Sequence, residues 1–220
     1  MKHLSREKMS EIDLMMPERY GISPLRMMEN AGNHVAELVR DRYSEQETVN
    51  VFVGKGNNGG DALSAARRIH NYGFDVHVIV SILELSGLPD EELFIVRAMG
   101  IKVSEYERTM ELDADVAVDG LFGYNLEGEP RPPYDHVIES INKHKDIVSI
   151  DIPSGLEVGE GTADTCVIPD CTVTLGMPKE SMNSENSGDI YLADISVPRQ
   201  VYEDLGIDTP FRESSLVRLD

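Results

Sequence analysis

The sequence predicts an α/β protein of Rossmann-like, three-layer design: a mostly parallel sheet between helices, with a helical extension before the first strand. Three observations carry this expectation. Short aliphatic runs alternate with longer segments of helical periodicity. The runs are rich in Val and Ile with few polar interruptions, as in strands buried on both faces. Glycine-rich or acidic turns follow several of them, where a right-handed crossover to the next parallel strand would begin.

The elements follow in order. Ser5 to Met16 reads as a first helix. Ser23-Pro24 opens a second, with serine in the N-cap position and proline preset for the first turn. Leu25, Met28, Ala31, Val35 and Leu38 then recur at spacings of three and four, which gives one apolar face. Val49 to Val53 is a buried strand ending in a glycine-rich loop, and Asp61 to Tyr72 is the helix after it. Val76 to Val80 is the next strand, Glu91 to Met99 a helix, and Ile101 to Val103 the start of a third strand. Val116 to Asp119 and Ile147 to Asp151 are further strands, separated by the helix Val137 to Lys143. Thr172 to Leu175 and Ile190 to Leu192 close the series. With no repeat or flexible linker, residues 1–220 read as a single domain.

Composition bounds the function. Hydrophobic residues make up 40% of the 220, enough for a packed core. A net charge of −20 and a pI near 4.6 argue against nucleic acid or an acidic membrane as partner. No apolar run reaches the ~18 residues of a membrane span. The polar stretch Met1 to Glu11 lacks the apolar core of a secretion signal, so a cytoplasmic location is expected. Cys166 and Cys171 lack the short spacing and second pair of a zinc site, so reduced thiols are expected.

In a sheet of this kind ligands bind beyond the carboxyl ends of the strands. Three polar clusters fall there. Gly54-Lys55-Gly56-Asn57-Asn58-Gly59-Gly60-Asp61 holds a literal G-x-G-x-x-G between strand and helix, whose backbone N–H groups suit phosphate. The second strand ends at Val80-Ser81 without the acid that holds a ribose in dinucleotide sites, which weakens an ordinary NAD-dependent oxidoreductase. Asp119 follows an apolar strand, where a carboxylate needs a cation or donors. The loop Gly123 to Glu129 after it reads equally as a flap over a ligand or a plain surface loop. Asp151 ends an aliphatic strand, and Asp151-Ile152-Pro153-Ser154 also serves as a simple capping turn.

Taken as an ordered set, Asn57-Asn58-Gly59-Gly60-Asp61, Asp119-Gly120-Leu121-Phe122-Gly123 and Asp151-Ile152-Pro153-Ser154-Gly155 resemble the YjeF N-terminal domain family. Met28 to Gly32 and Gly176-Met177-Pro178-Lys179 resemble its N-terminal helix motif and a later loop, so the likeness spans roughly residues 10 to 200. Catalytic members of that family are NAD(P)HX epimerases. They interconvert the R and S forms of NADHX or NADPHX, hydrates with a hydroxyl at nicotinamide carbon 6. The resemblance implies potassium held by Asn58, Asp119 and Ser154, and Asp151 as the proton-transfer residue. It implies substrate contacts from Asn57, Asn58, Gly59, Gly60, Asp61, Gly123, Tyr124, Asn125, Leu126, Glu127, Gly128, Glu129, Tyr134 and Asp151.

Two positions depart from the family pattern. Glu127 stands where the flap commonly carries a basic residue, and a carboxylate there would repel a phosphate-bearing ligand unless it points to solvent. Ala62 replaces a glycine. The rival reading is a non-catalytic ligand- or protein-binding module of the same fold. Family members often carry a dehydratase domain as well, so dehydration of the repaired hydrate is expected from a separate NAD(P)HX dehydratase. A homodimer through the N-terminal helices is also compatible with their apolar positions.

Overall fold

Residues 2–159, 161–162, 164–207, 211 and 214–219 are described by a computed structural model. Two helices come first, α1 (Arg6–Tyr20) and α2 (Pro24–Arg42). Lys8 N–H donates to Ser5 Oγ at the start of α1 (3.4 Å), and Gly21 ends that helix with φ 64°. Ser23 occupies the N-cap of α2 without a side-chain capping bond, so the preset φ of Pro24 is what favours the start there.

Then come β1 (Thr48–Val53), α3 (Asn57–Asn71), β2 (Asp75–Val80), α4 (Leu88–Ala98), β3 (Lys102–Glu105) and β4 (Val116–Gly120). They are followed by α5 (Tyr134–Ile141), β5 (Asp146–Ile150), the short strands β6 (Leu156–Glu157) and β7 (Gly161–Thr162), and β8 (Cys171–Leu175). α6 (Ser184–Ser187), β9 (Asp189–Ala193), α7 (Arg199–Asp204) and β10 (Leu216–Arg218) complete the order.

Eight strands form one sheet in the order β10-β9-β8-β5-β4-β1-β2-β3, parallel except for the β9–β10 pair. The Rossmann-like class and the helical extension are as the sequence predicts. Alternation along β1 separates two cores. Val49, Val51 and Val53 join Val35 and Val39 of α2 and Leu63 and Ala66 of α3 on one side. Phe52 joins Val137, Ile138 and Ile141 of α5 on the other. Each such buried Val, Leu, Ile or Phe side chain contributes roughly 1.5–3 kcal/mol through removal from water. Among the described residues no helix is long and apolar enough to cross a membrane.

Three helices begin earlier than periodicity suggests. α4 starts at Leu88 with Pro89 in its first turn, and α5 starts after Pro133. The third difference bears on function. Asn57 to Asp61 is the first turn of α3, not a loop before it. Gly59 and Gly60 are read as loop punctuation from sequence, but here they permit close packing. A Cβ on Gly59 would overlap the Gly54 carbonyl, and one on Gly60 the Met28 side chain. Cys166 and Cys171 are free, and burial pushes both thiols up to about 12.

Candidate active site

From β1 the chain runs outward to β2 and β3 on one side, then returns to β4 and runs to β5 and β8 on the other. The connections leaving the neighbours β1 and β4 therefore run in opposite directions, the switch point at which open α/β sheets bind ligands. Their register sets Phe52 beside Asp119 and Val53 beside Gly120. Gly54 N–H donates to the Gly120 carbonyl (3.1 Å), and a Cβ on Gly54 would overlap the Leu121 carbonyl. Glycine at 54 and 59 thus lets the start of α3 sit directly against the turn after β4.

A cavity of about 410 Å³ opens over this junction. Asn57, Asn58 and Asp61 line it from α3, Gly123 to Glu127 from the flap, and Asp151 from the end of β5. Met9 and Asp13 of α1 close another part of the wall.

The floor carries opposed charges. Asp151 has φ 68°, a left-handed conformation that Asp tolerates better than most residues and that aims its side chain into the cleft. One of its oxygens accepts from the Tyr124 backbone N–H (3.0 Å), and the other is paired with the Lys179 ammonium. Lys179 is wholly out of solvent and also donates to Thr174 Oγ1 (3.1 Å) and the Leu175 carbonyl (3.0 Å), so all three of its protons have acceptors. Two more carboxyls share the cavity. Burial, with Asp151 and Asp13 nearby, holds Asp61 well above the usual carboxylate range. Asp13 is also raised by burial, against the pull of the hydrogen bond it accepts from Tyr124 Oη (2.6 Å).

Beside the floor lies a cluster of hard oxygens. Asp119 is fully buried; Oδ1 accepts from Ser154 Oγ (2.6 Å) and Leu121 N–H (3.2 Å), and Oδ2 from Ser149 Oγ (2.8 Å) and Ser154 N–H (2.9 Å). Desolvation raises its pKa, and these four bonds pull it back. Asn58 Nδ2 donates to the Phe122 carbonyl (2.9 Å), while Asn58 Oδ1 is buried without a partner. Ser154 Oγ lies 3.5 Å from the same carbonyl. One carboxylate among neutral oxygens, with one buried acceptor unmet, fits a hard monovalent cation better than a divalent one.

Most of the residues singled out from sequence converge here, but not all line the cavity. Gly59 and Gly60 serve packing, as described. Gly128 and Glu129 lie beyond the cavity-lining part of the flap; Glu129 accepts from the Asp164 backbone N–H (3.2 Å). Tyr134 packs on Phe122 with ring centroids 4.7 Å apart, in the core on the α5 side, and is no part of the cavity wall. Glu127 sits at the cavity rim, 79% exposed, and pairs with Arg6 (2.9 Å), which offsets part of the repulsion its sequence position suggests. Sequence reasoning assigns no role to Lys179, Asp13 or Arg6. Lys179 lies in the noted Gly176 to Lys179 motif, but nothing in its spacing indicates a side chain folded back under Asp151. Asp13 and Arg6 reach the site only through the docking of α1.

The model of the family described as YjeF-related protein N-terminus matches residues 24–181. The chain is 35% identical over 201 residues to the "Bifunctional NAD(P)H-hydrate repair enzyme Nnr" of Archaeoglobus fulgidus, covering 90% of this chain and 42% of that one. It is 34% identical over 230 residues to the "NAD(P)H-hydrate epimerase" of Aedes aegypti, covering 98% and 97%. The crystal structure of the yeast protein ynu0 superposes over the whole of both chains with a TM-score of 0.89 at 23% identity.

Proposed function

The chain belongs to the YjeF-related N-terminal family, and from that premise we propose that it is an NAD(P)HX epimerase, an isomerase interconverting the R and S forms of hydrated NADH and NADPH. The observation that carries the reading is the Asp151–Lys179 pair at the floor of a cavity rimmed by the start of α3 and the flap. Epimerisation at carbon 6 requires a proton to be given to a departing hydroxyl and taken back from an incoming water. A carboxylate hydrogen-bonded directly to a buried ammonium has such a proton in the bond.

In the proposed reaction the pair lends that proton to the carbon 6 hydroxyl. The C6–O bond breaks, water leaves, and the ring nitrogen lone pair forms a double bond to carbon 6. Once the flattened ring has turned its other face to Asp151, water adds to carbon 6 there, and its proton returns through Asp151 to Lys179. Thr174 Oγ1 and the Leu175 carbonyl keep Lys179 in place throughout. The Tyr124 backbone N–H holds the second Asp151 oxygen, which ties the carboxylate's aim to the position of the flap. The N-terminus of α3, which has no side-chain cap at Gly56, suits the substrate's phosphates, with Lys55 beside it on the cavity wall.

Potassium is part of this proposal. Asn58 Oδ1, Asp119, Ser154 Oγ and the Phe122 carbonyl would hold it, and the unmet Asn58 oxygen supports the assignment. When bound, the cation would supply fixed positive charge near the phosphate-bearing substrate. On this reading the epimerisation works alongside a dehydration of the hydrate, in keeping with the name of the Archaeoglobus relative as a bifunctional repair enzyme.

The test is direct. Resolved R or S hydrate of NADH and of NADPH is incubated with the protein in potassium chloride and in choline chloride, then separated on a chiral phase. Enzyme-dependent equilibration, faster in potassium, supports the reading; the spontaneous rate in both salts overturns it.

A further inference from the structure

Helix α1 lies outside residues 24–181, yet its side chains grip the flap at two points. Arg6 donates to the Leu126 carbonyl (2.7 Å) and pairs with Glu127 (2.9 Å) and Glu157 (3.3 Å). Glu157 in turn accepts from the Gly128 backbone N–H (3.3 Å). Two turns further along α1, Asp13 accepts from Tyr124 Oη (2.6 Å), and the backbone N–H of that same Tyr124 donates to Asp151. The segment before the helix joins the other half of the floor. Leu4 N–H donates to the Pro178 carbonyl (2.8 Å) and the Leu4 carbonyl accepts from Glu180 N–H (3.1 Å), on either side of Lys179.

We propose that Arg6 and Asp13 are positioning residues, which hold the flap over the substrate and thereby fix Tyr124 against Asp151. The kinetic part of this inference rests on the epimerase reading; the structural part does not. Charge separates the two grips. Arg6 is partly exposed and Glu127 mostly so, and salt screens their attraction. The Asp13–Tyr124 bond joins a carboxylate to an uncharged hydroxyl and responds little to salt.

The test is hydrogen–deuterium exchange of the full chain, read on peptides spanning residues 123–128, for wild type, Arg6→Ala, Arg6→Lys, Asp13→Asn and Tyr124→Phe. A lost half-exposed ion pair changes local opening by about fivefold, so flap exchange should speed by roughly that factor in Arg6→Ala and recover in part in Arg6→Lys. Sodium chloride added at fixed potassium should loosen the wild-type flap and leave Arg6→Ala unchanged. Tyr124→Phe keeps the ring and loses only the hydroxyl, so it decides the second grip if Asp13→Asn misfolds. In turnover, both lesions should raise KM more than they lower kcat. Wild-type flap exchange in Arg6→Ala and Tyr124→Phe, both folded, overturns the proposal. A wild-type protein that does not epimerise sinks the functional reading, while the exchange measurements still decide the clamp.

Discussion

The ammonium of Lys179 meets the carboxylate of Asp151 beneath the cavity, with the lysine wholly out of solvent. The two residues come from different loops, one after β5 and one after β8, so the pair forms only once those two strands lie side by side. Its energetics follow from burial: each charge is tolerable because the other is present.

Removing either partner alone strands a buried charge. Asp151→Asn and Lys179→Met should each cost about 3–5 kcal/mol in urea unfolding. The double variant should regain most of that loss while remaining inactive. Additive losses in the double variant would show that the two side chains do not interact.

The close backbone approaches at the start of α3 make a second prediction. Gly54→Ala and Gly59→Ala place a methyl on a carbonyl oxygen and should destabilise by about 1–3 kcal/mol or more. Gly56→Ser has open space around it and supplies a better N-cap, so its unfolding midpoint should equal or exceed that of wild type.

Stability should also respond to Asp61. Its carboxyl is held well above its ordinary value of 3.8, so between those two values the folded state binds the proton that the unfolded chain has lost. That contribution is complete below pH 3.8 and is lost as pH rises towards the folded value. In potassium-free buffer, Asp61→Asn should therefore be more stable than wild type at neutral pH, with the gain shrinking as pH falls through the carboxylate range. Parallel stability curves for the two proteins would remove Asp61 as the cause.

On the proposed cation site, potassium chloride should raise Tm more than sodium chloride at equal ionic strength. Asn58→Ala removes the unmet oxygen and should abolish the difference. Equal shifts from the two salts in wild type would count against the assignment.

The central strands were legible in the sequence because they are largely aliphatic runs, as in Val49 to Val53 and Ile147 to Ile150, whereas the edge strand β10 offers no such run. The strand-end carboxylates Asp119 and Asp151 were legible for the same reason, since a charge at the end of such a run needs a partner. What sequence could not supply was the partner itself. Lys179 sits 28 residues from Asp151, and its approach depends on the parallel pairing of β5 with β8. The glycines make Asn57 to Asp61 look like loop in the sequence, whereas in the fold two of them sit in the first turn of α3 to admit Gly54 and Met28. Tyr134 follows the flap in sequence, but at the start of α5 it packs behind Phe122 in the core and does not line the cavity itself.

The most direct test of the central claim is the rate at which (R)- and (S)-NADHX equilibrate in potassium buffer with wild type and with folded Asp151→Asn. The account predicts acceleration over the spontaneous rate by wild type and loss of about 10²–10⁴-fold in the variant, the scale of a removed acid–base group. Equal rates for the two proteins would remove Asp151 from the chemistry, and no acceleration by folded wild type would contradict the epimerase assignment itself.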